Sequence, residues 1–292
     1  MEERAERVFV DEGAIFADTA RLRGPFAADH YDVIVIGGGQ AGLSVGYHLQ
    51  RAGVRFLIVD GSERVGDVWR QRWDSLRLFT PAWLDSLDGL PFPAPPQYFP
   101  TKDEMGDYLE QYAAHFELPV RSGVRVQRLR RSEAGFVLET NQGDLRAAQV
   151  VVAMSNYQRR RFPAFAHALA PEIRQLHSSD YRRASELVPG PVLIAGAGNS
   201  GAEIGMDLAA THRVLLAGRD TGYVPFRLGG FWARLCLVRL LLRVVFHRLL
   251  TIRTPLGRKA RPKLIGQGGP LIRQKPADLR ARASSAARAS SP

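Results

Sequence analysis

Two glycine triplets in the sequence have the GxGxxG spacing that brings a backbone close to a pyrophosphate. They are Gly37, Gly39 and Gly42 in the first case and Gly196, Gly198 and Gly201 in the second. In such a triplet the first glycine permits a tight turn, the second lets the phosphates approach, and the third allows a helix to pack on a strand. The sequence therefore predicts two dinucleotide-binding sites.

The first triplet lies within a complete strand, turn, helix and strand unit, residues 31–60. The β-branched run 32–36 predicts a buried parallel strand, and the second strand ends in Asp60, 23 residues after Gly37. The start of the helix offers free N–H groups to phosphates, and an acid at this position accepts hydrogen bonds from a ribose diol. This arrangement suits FAD.

The second triplet lies in a similar unit, residues 190–219, whose last strand ends in Gly218-Arg219 instead of an acid. An arginine there attracts a 2′-phosphate, whereas a carboxylate would repel it. We therefore predict an NADPH site, although a solvated surface arginine is the alternative interpretation of Arg219. Hydride would then pass from NADPH to the flavin, which carries the difficult chemistry.

The remaining patterns complete a predicted α/β architecture. Residues 120–155 alternate as strands do and predict a β-meander that returns to the sheet at 150–153. Thr101 is a suitable N-cap for the helix that follows it. We predict two Rossmann-like dinucleotide-binding domains with a β-meander.

Two short segments have more than one interpretation. Trp69 and Arg70 belong to an aromatic and arginine-rich block, 66–81, which can either stack on a flavin ring or form a corner of the core. His177 is followed by Ser-Ser-Asp. This pattern can serve acid–base chemistry, but we favour a turn because no partner base can be identified from spacing.

The charge is concentrated at one end of the chain. The net charge is +11, but residues 251–292 contain ten Lys or Arg and a single acid, Asp278, so residues 1–250 are close to neutral. A block of like charge is usually solvated. We therefore predict no specific nucleic-acid binding, and we expect the basic tail 277–292 to be disordered because it lacks large apolar residues beyond Leu279.

The long apolar stretch 231–250 carries four arginines, which makes a membrane-spanning helix unfavourable. We predict an amphipathic helix that packs on the core, with peripheral membrane contact as the alternative. The acidic N-terminus does not resemble a secretory signal. The single cysteine, Cys236, excludes a disulfide within the chain, and no metal-ligand cluster is evident, so we expect a cytoplasmic protein without a metal.

Several blocks occur in an order that resembles the class B flavin-dependent monooxygenases, in particular their plant YUCCA-like and bacterial branch. Besides the two fingerprints, they are "GDVWRQRWDSLRLFTP", "YFPTKDEMGDYLEQYA" and "QLHSSDY" ahead of "GAGNSGAEI". The resemblance covers roughly residues 31–276. One departure is Pro81, which follows Thr80 where animal members carry an asparagine, so the substrate class is not assigned.

The resemblance implies specific roles. FAD would be held by Gly37, Gly39, Gly42 and Asp60, with Trp69 and Arg70 near the flavin and the backbone of Val126 facing the adenine. NADPH would be held by Gly196, Gly198, Asn199, Ser200, Gly201 and Arg219. In such enzymes the reduced flavin takes up O₂ as a C4a-hydroperoxide, which then oxygenates a small organic substrate.

The resemblance also predicts a domain order: an N-terminal extension 1–30, an FAD domain 31–155, an NADPH domain 156–276 and the tail 277–292. The segment that returns to the flavin domain in the family is expected to be missing after residue 276. Two alternatives to a monooxygenase therefore stay open. One is an NADPH-dependent flavin reductase or oxidase that does not oxygenate a substrate, and the other is a truncated, inactive nucleotide-binding fragment.

Overall fold

The computed structural model describes residues 30–155, 158–224, 244, 248, 251, 253–259 and 269–279, and the chain divides into two compact units. Unit 1 comprises the residues up to Val68 together with Leu109–Asn156, and unit 2 comprises Trp69–Tyr108 and the residues from Tyr157 onwards. The predicted extension 1–30 (apart from His30), most of the predicted helix 231–250 and the end of the tail lie outside the described residues.

The elements follow one another in a strand and helix alternation at both fingerprints. In chain order they are β1 (His30–Ile36), α1 (Gln40–Arg51), β2 (Phe56–Val59), α2 (Asp67–Arg70), α3 (Lys102–His115), β3 (Val120–Arg121), β4 (Val126–Ser132), β5 (Gly135–Thr140), β6 (Gly143–Val152), β7 (Val192–Ala195), α4 (Asn199–Leu208) and β8 (Val214–Ala217). The predicted α/β architecture is therefore confirmed.

Unit 1 is built on a six-stranded sheet with the order β3-β2-β1-β6-β5-β4. Strand β1 pairs in parallel with both β2 and β6, and Ile34 lies opposite Leu57 on one side and Val150 on the other. Strands β4, β5 and β6 pair antiparallel, which confirms the predicted β-meander and its return to the sheet. Because β1 is central, its apolar side chains from Val33 to Ile36 are buried.

Unit 2 contains a two-stranded parallel sheet of β7 and β8, with Ile194 opposite Leu216. Helix α4 packs on this sheet through buried Ala202, Ile204 and Leu208.

On the same helix, Asp207 accepts a hydrogen bond from the buried phenol of Tyr181. Desolvation and this hydrogen bond raise the pKa of Tyr181, so the phenol stays protonated and serves as a structural donor.

Helix α3 begins as the sequence predicts. The N–H of Glu104 donates to Oγ1 of Thr101 at 3.2 Å, and the N–H of Thr101 donates to Oε2 of Glu104 at 2.7 Å. This reciprocal pair is a capping box, which satisfies two backbone donors that a helix start would otherwise leave unpaired. The prediction that Thr101 caps this helix is confirmed.

The segment Trp69–Tyr108 belongs to unit 2, and the predicted domain bounds 31–155 and 156–276 stay predictions. Contacts between residues distant in sequence hold this segment within unit 2. The N–H of Asp74 donates to the carbonyl of Arg182 at 2.8 Å, and the guanidinium of Arg183 lies 3.2 Å from the carboxylate of Asp74.

Among the described helices, none has the length and hydropathy that a membrane span requires.

Candidate functional site

The first fingerprint begins with a turn that only glycine can make. Gly37 has φ +111°, and a Cβ built there would lie 2.9 Å from the main-chain nitrogen of Met154. Its own N–H donates to the carbonyl of Val59 at 2.8 Å, which ties the end of β1 to the end of β2. The positive φ of Gly37 and its hydrogen bond to Val59 therefore hold the turn, which leads directly into α1.

The third glycine, Gly42, allows α1 to pack closely against this turn. A Cβ on Gly42 would lie only 1.8 Å from the carbonyl oxygen of Gly37, a distance that no real contact reaches. One turn later, a Cβ on Gly46 would approach Cδ1 of Ile58 at 2.7 Å. Glycine at these positions brings the helix axis close to the sheet, as the fingerprint predicts.

The second glycine differs, because nothing in the protein itself requires it. Gly39 is the N-cap of α1 with φ −84° and ψ −169°, an extended conformation open to any residue. A Cβ built there would meet no atom within 4 Å, and no side chain caps the helix. The space beside Gly39 therefore fits a ligand that approaches the backbone and accepts hydrogen bonds from the helix start.

Asp60 lies beside the same turn, at the carboxyl end of β2. Its Oδ2 accepts the N–H of Gly38 at 2.6 Å, and its Oδ1 accepts the N–H of Ser62 at 2.7 Å. Each carboxylate oxygen keeps a further lone pair with which it can bind a ribose hydroxyl. Gly38 was not singled out from the sequence, although the run of three glycines is a signal for it.

The second fingerprint repeats this geometry in unit 2. Gly196 has φ +131° and donates its N–H to the carbonyl of Ala217 at 2.7 Å. A Cβ on Gly201 would lie 1.9 Å from the carbonyl oxygen of Gly196, whereas a Cβ on Gly198 would meet no atom within 4 Å. Gly198 is an extended N-cap of α4 without a side-chain cap. In both fingerprints the first glycine has a positive φ, the third is required by close packing, and the second has an extended backbone beside open space.

Arg219 follows the end of β8, where it is exposed. A Cβ on the preceding Gly218 would lie 2.5 Å from the main-chain nitrogen of Ala197, so Gly218 lets β8 end directly beside the fingerprint turn. Gly218 lies outside the GxGxxG spacing and was not predicted as a site residue. Its position places Arg219 next to the turn of the second fingerprint, where a 2′-phosphate would need a cation.

The two residues after Gly198 have different environments. Ser200 is exposed in the first turn of α4. The side-chain amide of Asn199 is occupied within the protein: Nδ2 donates to the carbonyl of Pro270 and Oδ1 accepts the N–H of Ile272, both at 3.0 Å. The direct cofactor contacts expected of both residues stay predictions.

The structure gives partners to the other residues expected near a flavin. Nη2 of Arg70 lies 2.8 Å from Oδ1 of Asp107, and the carbonyl of Arg70 accepts a hydrogen bond from Lys102. Trp69 is half-buried in α2. Val126 begins β4, where it packs against the main apolar cluster of unit 1. The contacts of these three residues with a flavin stay predictions.

His177 lies in a turn. Its Nδ1 is 2.8 Å from Oγ of Ser179 and also accepts the N–H of Ser179 at 3.2 Å, while its carbonyl accepts the N–H of Asp180 at 2.9 Å. The side chain is therefore engaged with the residues that follow it, which confirms the turn interpretation. In the described part of the chain, no group of three or more His, Cys, Asp or Glu side chains is placed to hold a metal.

Asp85 is a buried carboxyl group that the sequence analysis did not identify. It is 7% exposed, its Oδ1 accepts a hydrogen bond from Thr80, and its Oδ2 has no partner among the described residues. Burial raises the pKa of Asp85 from 3.8 to about 6, although the hydrogen bond from Thr80 acts in the opposite direction.

Asp85→Asn should therefore change how stability depends on pH. Between about pH 4 and pH 6 the unfolded chain releases the proton and the folded chain keeps it, so the free energy of unfolding falls as pH rises. Asparagine mimics the protonated carboxyl and removes this loss. We expect both proteins to be equally stable at low pH and the variant to gain about 2 kcal/mol above pH 6, after allowance for solvent screening. Urea denaturation across this range measures the difference, and parallel pH profiles would contradict the assignment.

Comparison with known proteins places these features in context. Residues 34–225 match the family model described as pyridine nucleotide-disulphide oxidoreductase. An uncharacterized CzcO-like oxidoreductase from Geobacillus kaustophilus is 44% identical over 205 residues, which cover 69% of this chain and 59% of that protein. A probable indole-3-pyruvate monooxygenase of the YUCCA group from Arabidopsis thaliana is 30% identical over 187 residues, or 60% of this chain and 43% of that protein.

A solved structure shows the same architecture. The flavin-containing monooxygenase from Stenotrophomonas maltophilia superposes with a TM-score of 0.63 at 31% sequence identity, and the match covers 85% of this chain and 72% of that one. The chain thus spans 59% of the length of the Geobacillus relative and 72% of the bacterial monooxygenase structure.

Proposed function

This chain belongs to the pyridine nucleotide-disulphide oxidoreductase family, and on that premise we propose that it is an FAD- and NADPH-dependent oxidoreductase of the flavin monooxygenase type. The observation that carries the proposal is the pair of open glycines, Gly39 and Gly198. Each caps a helix start, and a Cβ at either position would enter empty space. Two such positions support two dinucleotides, one for each fingerprint.

The residues of the first fingerprint fit FAD. The pyrophosphate would bind at the start of α1 beside Gly39, where backbone N–H groups and the helix dipole favour a negative group. Asp60 would accept hydrogen bonds from the ribose diol, and the N–H groups of Gly38 and Ser62 already fix the orientation of its carboxylate. When bound, FAD would accept hydride and, once reduced, react with O₂ to oxygenate a small organic substrate.

The residues of the second fingerprint fit NADPH. Its pyrophosphate would bind at the start of α4 beside Gly198, with the exposed hydroxyl of Ser200 as a further donor. Arg219 would bind the 2′-phosphate through a charge-assisted hydrogen bond. The protein would thereby select NADPH over NADH and orient the nucleotide for hydride donation.

The family description includes disulphide oxidoreductases, but a redox disulfide between two cysteines of this chain is excluded. A redox disulfide requires two cysteines, and the sequence contains one, Cys236. The monooxygenase relatives therefore offer the better comparison.

We propose a cytoplasmic location. Disulfides are typical of proteins in oxidising compartments, and a chain with one cysteine cannot form one internally. Membrane contact by 231–250 stays a prediction.

Loading with FAD tests the proposal directly. We expect the purified protein to bind FAD, to be reduced by NADPH without oxygen, and to consume NADPH faster with an accepted substrate under air. NADPH oxidation that yields peroxide with every candidate substrate would favour the reductase or oxidase alternative. A protein that cannot be loaded with FAD would overturn both and leave the nucleotide-binding fragment.

Arg219→Ala should weaken selection of the nucleotide. Loss of a cation beside a 2′-phosphate removes a charge-assisted contact worth about 1.5–3 kcal/mol, which corresponds to a roughly tenfold or larger increase in KM for NADPH. The KM for NADH should change little, because NADH has no 2′-phosphate. Steady-state kinetics with both nucleotides measures the ratio. An equal effect on the two would contradict the role of Arg219.

A further inference from the structure

We propose that Asn199 is a positioning residue whose side chain holds segment 270–275 against the start of α4, so that docking of this segment and binding of the nicotinamide nucleotide are energetically coupled. The inference rests on the proposed NADPH site at the same helix end. It assigns to Asn199 an indirect role, in place of the direct nucleotide contact that the family resemblance implies.

The side-chain amide of Asn199 forms two hydrogen bonds with the backbone of segment 270–275. Its Nδ2 donates to the carbonyl of Pro270 and its Oδ1 accepts the N–H of Ile272, each at 3.0 Å. One side chain thus satisfies a donor and an acceptor on the same edge of the segment, as a neighbouring strand would do. Because Asn199 directly follows the N-cap Gly198, the segment is fixed at the proposed pyrophosphate site.

The opposite edge of the segment binds the loop that follows Arg219. The N–H of Leu271 donates to the carbonyl of Gly222, and the carbonyl of Leu271 accepts the N–H of Val224, both at 2.9 Å. The side chain of Leu271 is buried, with 6% exposed. Segment 270–275 therefore links the start of α4 to the loop three residues beyond Arg219. The nucleotide would be held at the start of α4 and at Arg219, which precedes this loop.

A second anchor lies one helical turn further along α4. Nε of Arg273 donates to Oε1 of Glu203 at 2.8 Å, and Nη2 of Arg273 contacts Oε2 of the same carboxylate. Glu203 is four residues after Asn199 and so lies on the same face of the helix. Both charged side chains are largely buried, with 23% and 11% exposed, which makes this paired contact stronger than a surface ion pair.

These contacts determine the sign of the coupling. NADPH would contact the start of α4 with its pyrophosphate and Arg219 with its 2′-phosphate, so it binds best when both are held at a fixed separation. The docked segment holds that separation, and undocking must weaken binding. By linkage, the bound nucleotide stabilises the docked segment by the same free energy.

Two variants distinguish positioning from direct contact. Asn199→Ala removes the first anchor and Arg273→Ala removes the second, while Arg213→Ala, at an exposed arginine outside the segment, leaves both in place and is the matched control. Hydrogen exchange of the Leu271 and Ile272 amides reports docking in the protein without nucleotide, and calorimetry with NADP⁺ reports affinity. We expect both anchor variants to accelerate exchange and to raise the Kd for NADP⁺ about tenfold. The double variant should be little worse than either one.

Contrary outcomes are equally specific. If Asn199→Ala weakens NADP⁺ binding and Arg273→Ala does not, Asn199 contacts the nucleotide directly and the positioning role is wrong. Unchanged exchange in both variants would also overturn it. If the unaltered protein binds no NADP⁺ at all, the proposed function and the coupling both fail. Normal NADP⁺ binding by both anchor variants overturns only the coupling.

Discussion

Gly39→Val should give a folded protein that does not bind FAD. The backbone of Gly39 is extended and a Cβ there meets no atom within 4 Å, so the protein itself has room for a side chain. The expected cost to stability is limited to a poorer N-cap, about 1 kcal/mol. The isopropyl group would instead occupy the space through which the pyrophosphate approaches the helix start.

The measurement is the flavin content of the purified, FAD-loaded protein, together with its melting temperature. We expect at least a tenfold loss of bound flavin with a nearly unchanged melting temperature. Gly198→Val is the matched control, because this position is equally open in the second fingerprint. That variant should retain FAD and lose reduction by NADPH. A Gly39→Val protein with full flavin content would falsify the proposed FAD site.

Gly42→Ala should have the opposite signature and destabilise the fold. Its Cβ would lie 1.8 Å from the carbonyl oxygen of Gly37, so the helix and the turn must separate. Overpacking of this kind costs about 3 kcal/mol, or more when both partners are backbone. Alanine in a helix gains about 1 kcal/mol over glycine, which offsets only part of the loss.

A pair in the second fingerprint provides the control for helix propensity. Gly201→Ala places a Cβ 1.9 Å from the carbonyl oxygen of Gly196, whereas Gly205→Ala, one turn later in α4, places it 3.4 Å from Cδ1 of Ile194. Denaturation by urea should show a clear loss of stability for Gly201→Ala and no loss, or a small gain, for Gly205→Ala. Equal effects of the two changes would show that close packing is not the reason for glycine.

The sequence predicts the parts of the fold that depend on residues close together in the chain. The turns at Gly37 and Gly196 follow from glycine spacing, and the start of α3 follows from Thr101 and Glu104. Each signal spans a few residues and has one structural solution. The strand alternation of 120–155 likewise predicts the meander, because side chains of a strand alternate between the two faces of a sheet.

Contacts between distant residues could not be predicted in this way. Asp74 contacts Arg182 and Arg183, and these contacts bring Trp69–Tyr108 into unit 2. Asn199 binds backbone groups 71 and 73 residues further along the chain. The burial of Asp85 likewise has no signal in the neighbouring sequence. No local pattern specifies such contacts, since they are set by the tertiary arrangement.

The close approach of each third glycine to its turn has a consequence for ligand recognition. Since α1 and α4 start in contact with carbonyl oxygens of the preceding turns, the N–H groups that face a phosphate are held in place by the fold itself. These loops therefore lose their conformational entropy when the protein folds, and not when a nucleotide binds. The two phosphate-binding turns themselves should therefore behave as rigid, preformed receptors that do not rearrange on association.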